Sequence, residues 1–447
     1  MKNNLCIAGM TILFFFQALA TQCSELISIT THEQGRECPL IIQLKEQMMG
    51  CADFWREVEQ RGTPLIDFIE GSDSETLVTF IWRATREHGN VVVASYGLCS
   101  FDPVKNRMTH IPNTDVWYKS WILPRNTRTV YSISPDDPLI AISDYRLDQC
   151  FSLSFNHNWV HDPLNSKKYV IPGALCAGGI DRNMSLLEMP DAPSFPWKNE
   201  EYYPKGSVIN AYVPSQILEE GRAIYVYLPP NYDASQITAY PLVIAFDGYI
   251  YKDFIEAPLI FDYLIAKGKL PPLIAVMIEN PAPNFVTRFR DLACHEPFMD
   301  FIAYELVPWV QSAYRATVDP RLTVLAGGSL GAVIATYMGL DHPEIFGNVI
   351  AQTGTYWWPI RDTQNWLIEQ YVQSPTRDVR FFLDVGSLET VPTFANGSSQ
   401  LNSNRHFRDV LKAKGYPVKY VEYAGGHDFV CLQHTFAEGL QYLLNRK

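Results

Sequence analysis

Leu322-Thr323-Val324-Leu325-Ala326-Gly327-Gly328-Ser329-Leu330-Gly331-Ala332-Val333-Ile334-Ala335-Thr336-Tyr337-Met338-Gly339-Leu340 carries the decisive pattern of this chain. Leu322–Ala326 is an apolar run of strand length, and the residues from Ala332 to Leu340 read as a helix. Between them Gly327-Gly328-Ser329-Leu330-Gly331 matches G-x-S-x-G. In a strand-turn-helix context that motif predicts a nucleophile elbow, a strained turn that lifts a serine hydroxyl over a sheet. Side chains at Gly327 and Gly331 would collide with the neighbouring strand and helix. The plainer alternative is a Gly-rich turn with Ser329 as helix N-cap. A dinucleotide loop is not matched, because G-x-G-x-x-G and its acidic residue about 20 positions on are both missing.

Outward from this stretch, further strands are predicted at 223–228, 242–246, 273–278, 348–352, 379–383 and 418–423. Helical patterns lie near 254–267, 298–314, 330–340, 402–414 and 430–445. This alternation predicts an α/β domain over 207–447, with a mainly parallel sheet covered on both faces. The style differs upstream, where 48–200 carries short alternating runs around 77–82, 91–94, 116–118 and 130–133. They predict an all-β sandwich. Residues 163–205, rich in Pro, Asn and Gly, read as a linker over the surface.

The predicted chemistry sits at strand ends. A serine needs a base, and in the order Ser…acid…His that base is His427, in Ala424-Gly425-Gly426-His427-Asp428. Asp428 reads as a cap of the last helix. The orienting acid belongs after the strand at 379–383, where Asp384 and Glu389 are both available. Gly386 begins a turn, which favours Glu389; a Ser-His dyad without an essential acid is the third arrangement. The oxyanion hole needs two backbone N–H groups. Leu330, next to the nucleophile, supplies one, and Gly248 or Tyr249, after the strand at 242–246, supplies the other.

Composition narrows the class of function. The 447 residues are 47% hydrophobic and 19% charged, which excludes disorder and coiled coil. A net charge of −12 argues against general nucleic-acid binding. No His/Cys spacing suggests a zinc site, and neither metal nor cofactor is expected. Lys2, an apolar run from Leu5 to Phe16 and Ala18-Leu19-Ala20 predict a signal peptide over 1–20. That run is shorter than the ~20 residues of a membrane span, so no span is expected in the mature chain. A lipoprotein acylated at Cys23 is the lesser alternative. The chain is then periplasmic or secreted, or cytoplasmic if the signal is misread. Cys6 leaves with the signal, and the other eight of nine cysteines suggest at least one disulfide in the β-rich half.

Several further motifs carry a family resemblance. Phe54-Trp55-Arg56-Glu57-Val58, Gly62-Thr63-Pro64, Asn113-Thr114-Asp115-Val116-Trp117, Asp162-Pro163-Leu164-Asn165 and Leu187-Glu188-Met189-Pro190-Asp191-Ala192-Pro193 lie in the first half. Tyr227-Leu228-Pro229-Pro230-Asn231-Tyr232, Phe246-Asp247-Gly248, Gly268-Lys269-Leu270-Pro271-Pro272, Arg288 with Asp291-Leu292, Gly354-Thr355-Tyr356-Trp357-Trp358 and Gly425-Gly426-His427-Asp428 lie in the second. Together they resemble the enterochelin (enterobactin) esterases, a siderophore-esterase family, from about Phe54 to the C-terminus. Two features depart from it: Gly328 stands where the family usually has Gln, and two-domain members are mostly cytoplasmic.

The resemblance implies an esterase-D-type α/β-hydrolase domain behind an N-terminal all-β immunoglobulin-like sandwich that helps to form the substrate cleft. It implies a serine esterase acting on the triserine lactone of a catecholate siderophore, free or ferric, with iron belonging to the substrate. Arg288 is the candidate counter-charge for that anion, against a structural pair with Asp291. Trp357 and Trp358 are candidates to pack on catechol rings, against simple core filling. Three other readings compete: an exported esterase for another aromatic ester such as a feruloyl ester, an acyltransferase on the same fold, and a siderophore-binding protein without turnover.

Overall fold

The computed structural model describes residues 36–95, 103–139, 159–171, 181–199, 202–280, 285–361, 363–390 and 398–445. The expected signal over 1–20 lies outside them, as do Cys6, Cys23, Cys99, Cys150 and Cys176. The cysteines among the described residues, Cys38, Cys51, Cys294 and Cys431, are free thiols.

The first half is built from strands β1 (Leu65–Phe68), β2 (Glu75–Arg83), β3 (Val91–Ala94), β4 (Thr109–His110), β5 (Val116–Pro124), β6 (Arg128–Pro135), β7 (Lys168–Ile171) and β8 (Arg182–Glu188). They form two four-stranded antiparallel sheets, β1-β2-β5-β4 and β3-β6-β8-β7. Phe80 and Trp117 from one sheet and Val91, Tyr131, Ile133 and Leu187 from the other fill the space between. That is a sandwich core. Helices Pro39–Lys45 and Cys51–Arg61 cover its outer side, burying Ile41, Phe54 and Val58 against Ile81 and Val116.

The linker reading of 163–205 is corrected. β7 and β8 fall inside it, and β8 pairs with β6 through Arg128↔Glu188 to Tyr131↔Ser185. Its apolar content is confined to Met184, Leu186 and Leu187, too short a run to stand out among the surrounding Pro, Asn and Gly.

The second half holds β9 (Ser207–Val213), β10 (Arg222–Leu228), β11 (Leu242–Ala245), β12 (Ile274–Ile278), β13 (Thr323–Gly328), β14 (Asn348–Gln352), β15 (Arg380–Gly386) and β16 (Val418–Tyr423). They form one sheet in the order β16-β15-β14-β13-β11-β12-β10-β9. The strands from β12 to β16 run parallel, and β10 and β9 add antiparallel at one edge. β11, β12 and β14 are buried along their whole length, as central strands covered on both faces must be. The helix Leu330–Asp341 packs among Leu325, Val349 and Tyr371 on one face, and Phe429–Leu444 packs against Phe261, Ile350 and Phe382 on the other. Strand order reverses beside β11, so β11, β13, β14 and β15 end together on one rim, where ligands of open α/β sheets bind.

Candidate active site

Ser329 stands between β13 and the helix Leu330–Asp341 with φ +57 and ψ −118. A non-glycine residue in that region is strained, and close packing imposes the strain. A Cβ at Gly327 would lie 2.1 Å from Gly331 O, so the chain can make this turn only with glycine there. At Gly328 a Cβ would make only ordinary contacts, the nearest being Leu432 at 3.5 Å, so that position can carry a side chain.

His427 follows β16, and its Nδ1 lies 2.7 Å from Glu389 Oε2. The carboxylate is held in turn by the Thr353 hydroxyl, 2.7 Å from Oε1, and by the Gly386 N–H at 2.9 Å. Thr353 Oγ1 is also 3.1 Å from His427 Nδ1. Desolvation in the site pulls the imidazole pKa down, but the charge and hydrogen bond of Glu389 outweigh it, with help from Asp428. The net result is a pKa above the ordinary 6.5. The Arg288 guanidinium lies close enough to oppose that rise.

Asp384 does not reach the histidine. It is fully buried beneath Thr353, where Oδ1 accepts the Thr353 N–H at 3.0 Å and Oδ2 accepts Gln352 Nε2 at 3.3 Å. Burial raises its pKa to about 7. Asp384 is thus a support for Thr353, whose φ of +42 is unusual for a β-branched residue.

The other end of the constellation is arranged differently. Ser329 Oγ lies 2.9 Å from Thr355 Oγ1, and no hydrogen bond joins it to His427 in this state. Thr355 also meets Gln400 Nε2 at 3.2 Å. Catalytic hydrogen bonds in unliganded enzymes are often made only once substrate enters. Thr353 and Gln400 had no signal in the sequence beyond the position of Thr353 just past β14, whereas Thr355 lies in the motif Gly354-Thr355-Tyr356-Trp357-Trp358.

Leu330 opens its helix, so its N–H has no partner within it. After β11, Gly248 is required by crowding, since a Cβ there would lie 2.6 Å from Met277 O. Tyr249 follows at the N-cap of the turn Ile250–Phe254, so the loop after β11 carries both candidate amides.

Arg288 is placed neither as a free counter-charge nor beside Asp291. Its Nε and Nη2 grip the two oxygens of Asp247 at 2.6 and 2.7 Å. Asn280 Nδ2 donates to the same carboxylate. Asp291 pairs instead with Arg222 at 3.1 Å and Arg290 at 2.8 Å. Asp291 was the structural alternative that the family pattern offered; the actual partner, Asp247, is brought in by the end of β11. Trp358 stacks on Phe289 with an interplanar angle of 6° and packs on the main core. Trp357 is half-buried and donates from Nε1 to Gln400 Oε1 at 2.6 Å.

Asp428 occupies the N-cap position of Phe429–Leu444 but makes no capping bond. Its carboxylate accepts from the Thr129 hydroxyl and, at 3.3 Å, from the Val130 N–H, both on β6 of the sandwich. The capping role is corrected: tertiary donors from β6 take the carboxylate before the helix can.

Strand-end serine, histidine and carboxylate on an α/β sheet supply what acyl transfer requires. The family described as "Putative esterase" matches residues 215–443, and "Enterochelin esterase, N-terminal" matches 77–198. The iron(III) salmochelin esterase of Escherichia coli O6:H1 is 28% identical over 411 residues, covering 88% of this chain and 93% of that protein. The iron(III) enterobactin esterase of Dickeya dadantii is 28% identical over 443 residues, covering 90% and 94%. Among solved structures, the ferric enterobactin esterase of Salmonella typhimurium superposes with a TM-score of 0.70 at 25% identity, covering 88% of this chain and 98% of that one. The enterobactin esterase of Shigella flexneri, in the presence of enterobactin, gives 0.66 at 25%, covering 89% and 99%. With more than half of its length matched, the chain belongs to the esterase family, as a carboxylic ester hydrolase carrying an enterochelin-esterase N-terminal domain.

Proposed function

We propose that the protein hydrolyses the ester bonds of a catecholate siderophore, iron-loaded or free, and so releases the metal. The observation that carries this reading is similarity along nearly the whole chain, sandwich included, to proteins named for iron(III) siderophore ester hydrolysis. A bare esterase domain would account for residues 215–443 alone.

The reaction follows from the site. Ser329 Oγ attacks the ester carbonyl and gives its proton to His427 Nε2. Glu389 holds Nδ1–H and stabilises the imidazolium. The N–H groups of Leu330 and of the Gly248 loop receive the oxyanion. His427 then protonates the leaving alkoxide and activates water to release the acyl group. Iron is cargo and takes no part in these steps. In this reading Trp357, half-buried just past β14, packs on a catechol ring. Export is part of the proposal and rests on Lys2, the apolar run and Ala18-Leu19-Ala20.

Purified mature chain, incubated with ferric and with iron-free enterobactin, should yield linear and monomeric serine conjugates by mass, and Ser329→Ala should yield none. Turnover of feruloyl esters with enterobactin left intact would overturn the substrate assignment while keeping the esterase. Intact N-terminal residues on protein from the producing cell would overturn export.

A further inference from the structure

We propose that Thr355 is a positioning residue for the nucleophile: its hydroxyl donates to Ser329 Oγ and leaves the serine proton free for His427. This rests on Ser329 being the nucleophile of the ester hydrolysis. The 2.9 Å contact between the two hydroxyls could run either way, and the neighbours fix its direction. Trp357 Nε1 can only donate, and it sits 2.6 Å from Gln400 Oε1. That contact settles which end of the Gln400 amide is oxygen, so Nε2 faces the threonines. Nε2 in turn can only donate, and it meets Thr353 O and, at 3.2 Å, Thr355 Oγ1. Thr355 therefore accepts from Gln400, and Ser329 Oγ is the acceptor within reach of its own buried proton.

The backbone holds the pair in register. The Thr355 N–H donates to Ser329 O at 3.2 Å, and Asn404 Nδ2 holds Gly354 O at 2.7 Å. Thr355 and Gln400 are 4% and 5% exposed, so water does not compete for these bonds. The opposite direction would point the serine proton at Thr355, away from the base. A donor on Oγ also stabilises the negative charge that grows there as the proton leaves. Thr353 Oγ1 reaches Glu389 and His427, so Thr353-Gly354-Thr355 touches both ends of the constellation.

The test reads Ser329 directly, by its second-order rate of labelling with a fluorophosphonate, alongside hydrolysis of a small neutral ester. Ser329→Ala is the blank. Thr355→Val, which keeps the shape, should lower both the labelling rate and kcat by about 10- to 100-fold with KM little changed. Thr355→Ser should recover most of that loss, because it restores the donor. Gln400→Leu should give a smaller loss in the same sense, by freeing Thr355 to accept from the serine. Thr355→Val labelled at the parental rate or faster would overturn the proposal, as would Thr355→Ser failing as deeply as Thr355→Val. An unchanged labelling rate in Gln400→Leu would overturn the assigned direction. A parent chain that is not labelled at all would remove the nucleophile assignment and the proposal with it.

Discussion

The two halves of the molecule reach the same histidine by different means. The α/β half holds the His427 ring itself, through Glu389 Oε2 on Nδ1 and Thr353 behind them. The sandwich half holds the loop that carries the ring. The β6 residue Arg128 donates its N–H to Ala424 O at 3.1 Å, and Thr129 and Val130 bind Asp428 on the other side of His427. Cys431 Sγ closes the contact on Arg128 O at 2.9 Å. One half supplies charge and direction to the reacting ring, and the other supplies position to its backbone. Loss of charge at an active site costs orders of magnitude, whereas loss of a backbone support costs less and shows in stability. Substitutions in each half separate these two kinds of grip.

The largest effect belongs to Glu389→Gln, which removes the charge that raises the His427 pKa. We expect kcat to fall by about 10²-fold or more with little change in KM. The base must be neutral to act, so activity of the parent appears as pH rises through a histidine pKa above 6.5. In Glu389→Gln the desolvation of the ring remains and its main opponent is gone. The acid limb of kcat/KM should therefore move to lower pH while the plateau falls. A limb that stays in place would show that the charge does not reach the imidazole, and a plateau that does not fall would leave a Ser-His dyad as the working arrangement.

Arg288→Ala tests the α/β half at a second point. The Asp247–Arg288 pair is 3% and 11% exposed and holds the residue just before Gly248. Removing the arginine leaves a buried carboxylate with Asn280 as its hydrogen-bonding side chain, so the oxyanion loop should shift. Misplacement on that scale costs up to about 100-fold in rate. The loss should be equal for a neutral ester and an anionic catecholate, because the charge is spent on Asp247. A loss confined to the anionic substrate and shrinking with salt would return Arg288 to the role of counter-charge.

Legibility in the sequence differed between the halves for a physical reason. In the α/β half chemistry is local to strand ends, so an apolar run followed by Gly-x-Ser-x-Gly or Gly-Gly-His marks both an element and its reactive residue. Gly386 turns the chain and so favours Glu389 over Asp384, and the structure brings Glu389 to His427 and buries Asp384 under Thr353. The contacts that are not legible in the sequence join segments far apart in the chain. Asp247 with Arg288, Gln400 with Thr355 and Thr129 with Asp428 span 41, 45 and 299 positions. Nothing in the spacing of either partner announces the other. β8 is masked for a different reason: its neighbours in sequence are turn residues, and it gains its place by pairing with β6 and β7.

Thr129→Val is the smallest change and the one that isolates the sandwich. Thr129 is fully buried, and valine keeps its shape while removing the donor to Asp428. Burial already raises the Asp428 pKa to about 6, so folding takes up a proton there. A carboxyl with a raised folded pKa makes stability fall as pH rises from its unfolded value through its folded one. Loss of the Thr129 donor extends that fall to higher pH. The variant should therefore melt close to the parent at pH 5 and below it at pH 8, by about 1–3 kcal/mol of stability, the cost of an unsatisfied buried polar group. Its kcat should drop only a few-fold, since Glu389 still holds the ring. Thr129→Ser, which keeps the hydroxyl, should restore both. A Thr129→Val enzyme as crippled as Glu389→Gln would mean that the sandwich governs the imidazole itself and not merely its loop. Parental melting at pH 8 would mean that the Thr129–Asp428 bond contributes nothing to joining the two halves.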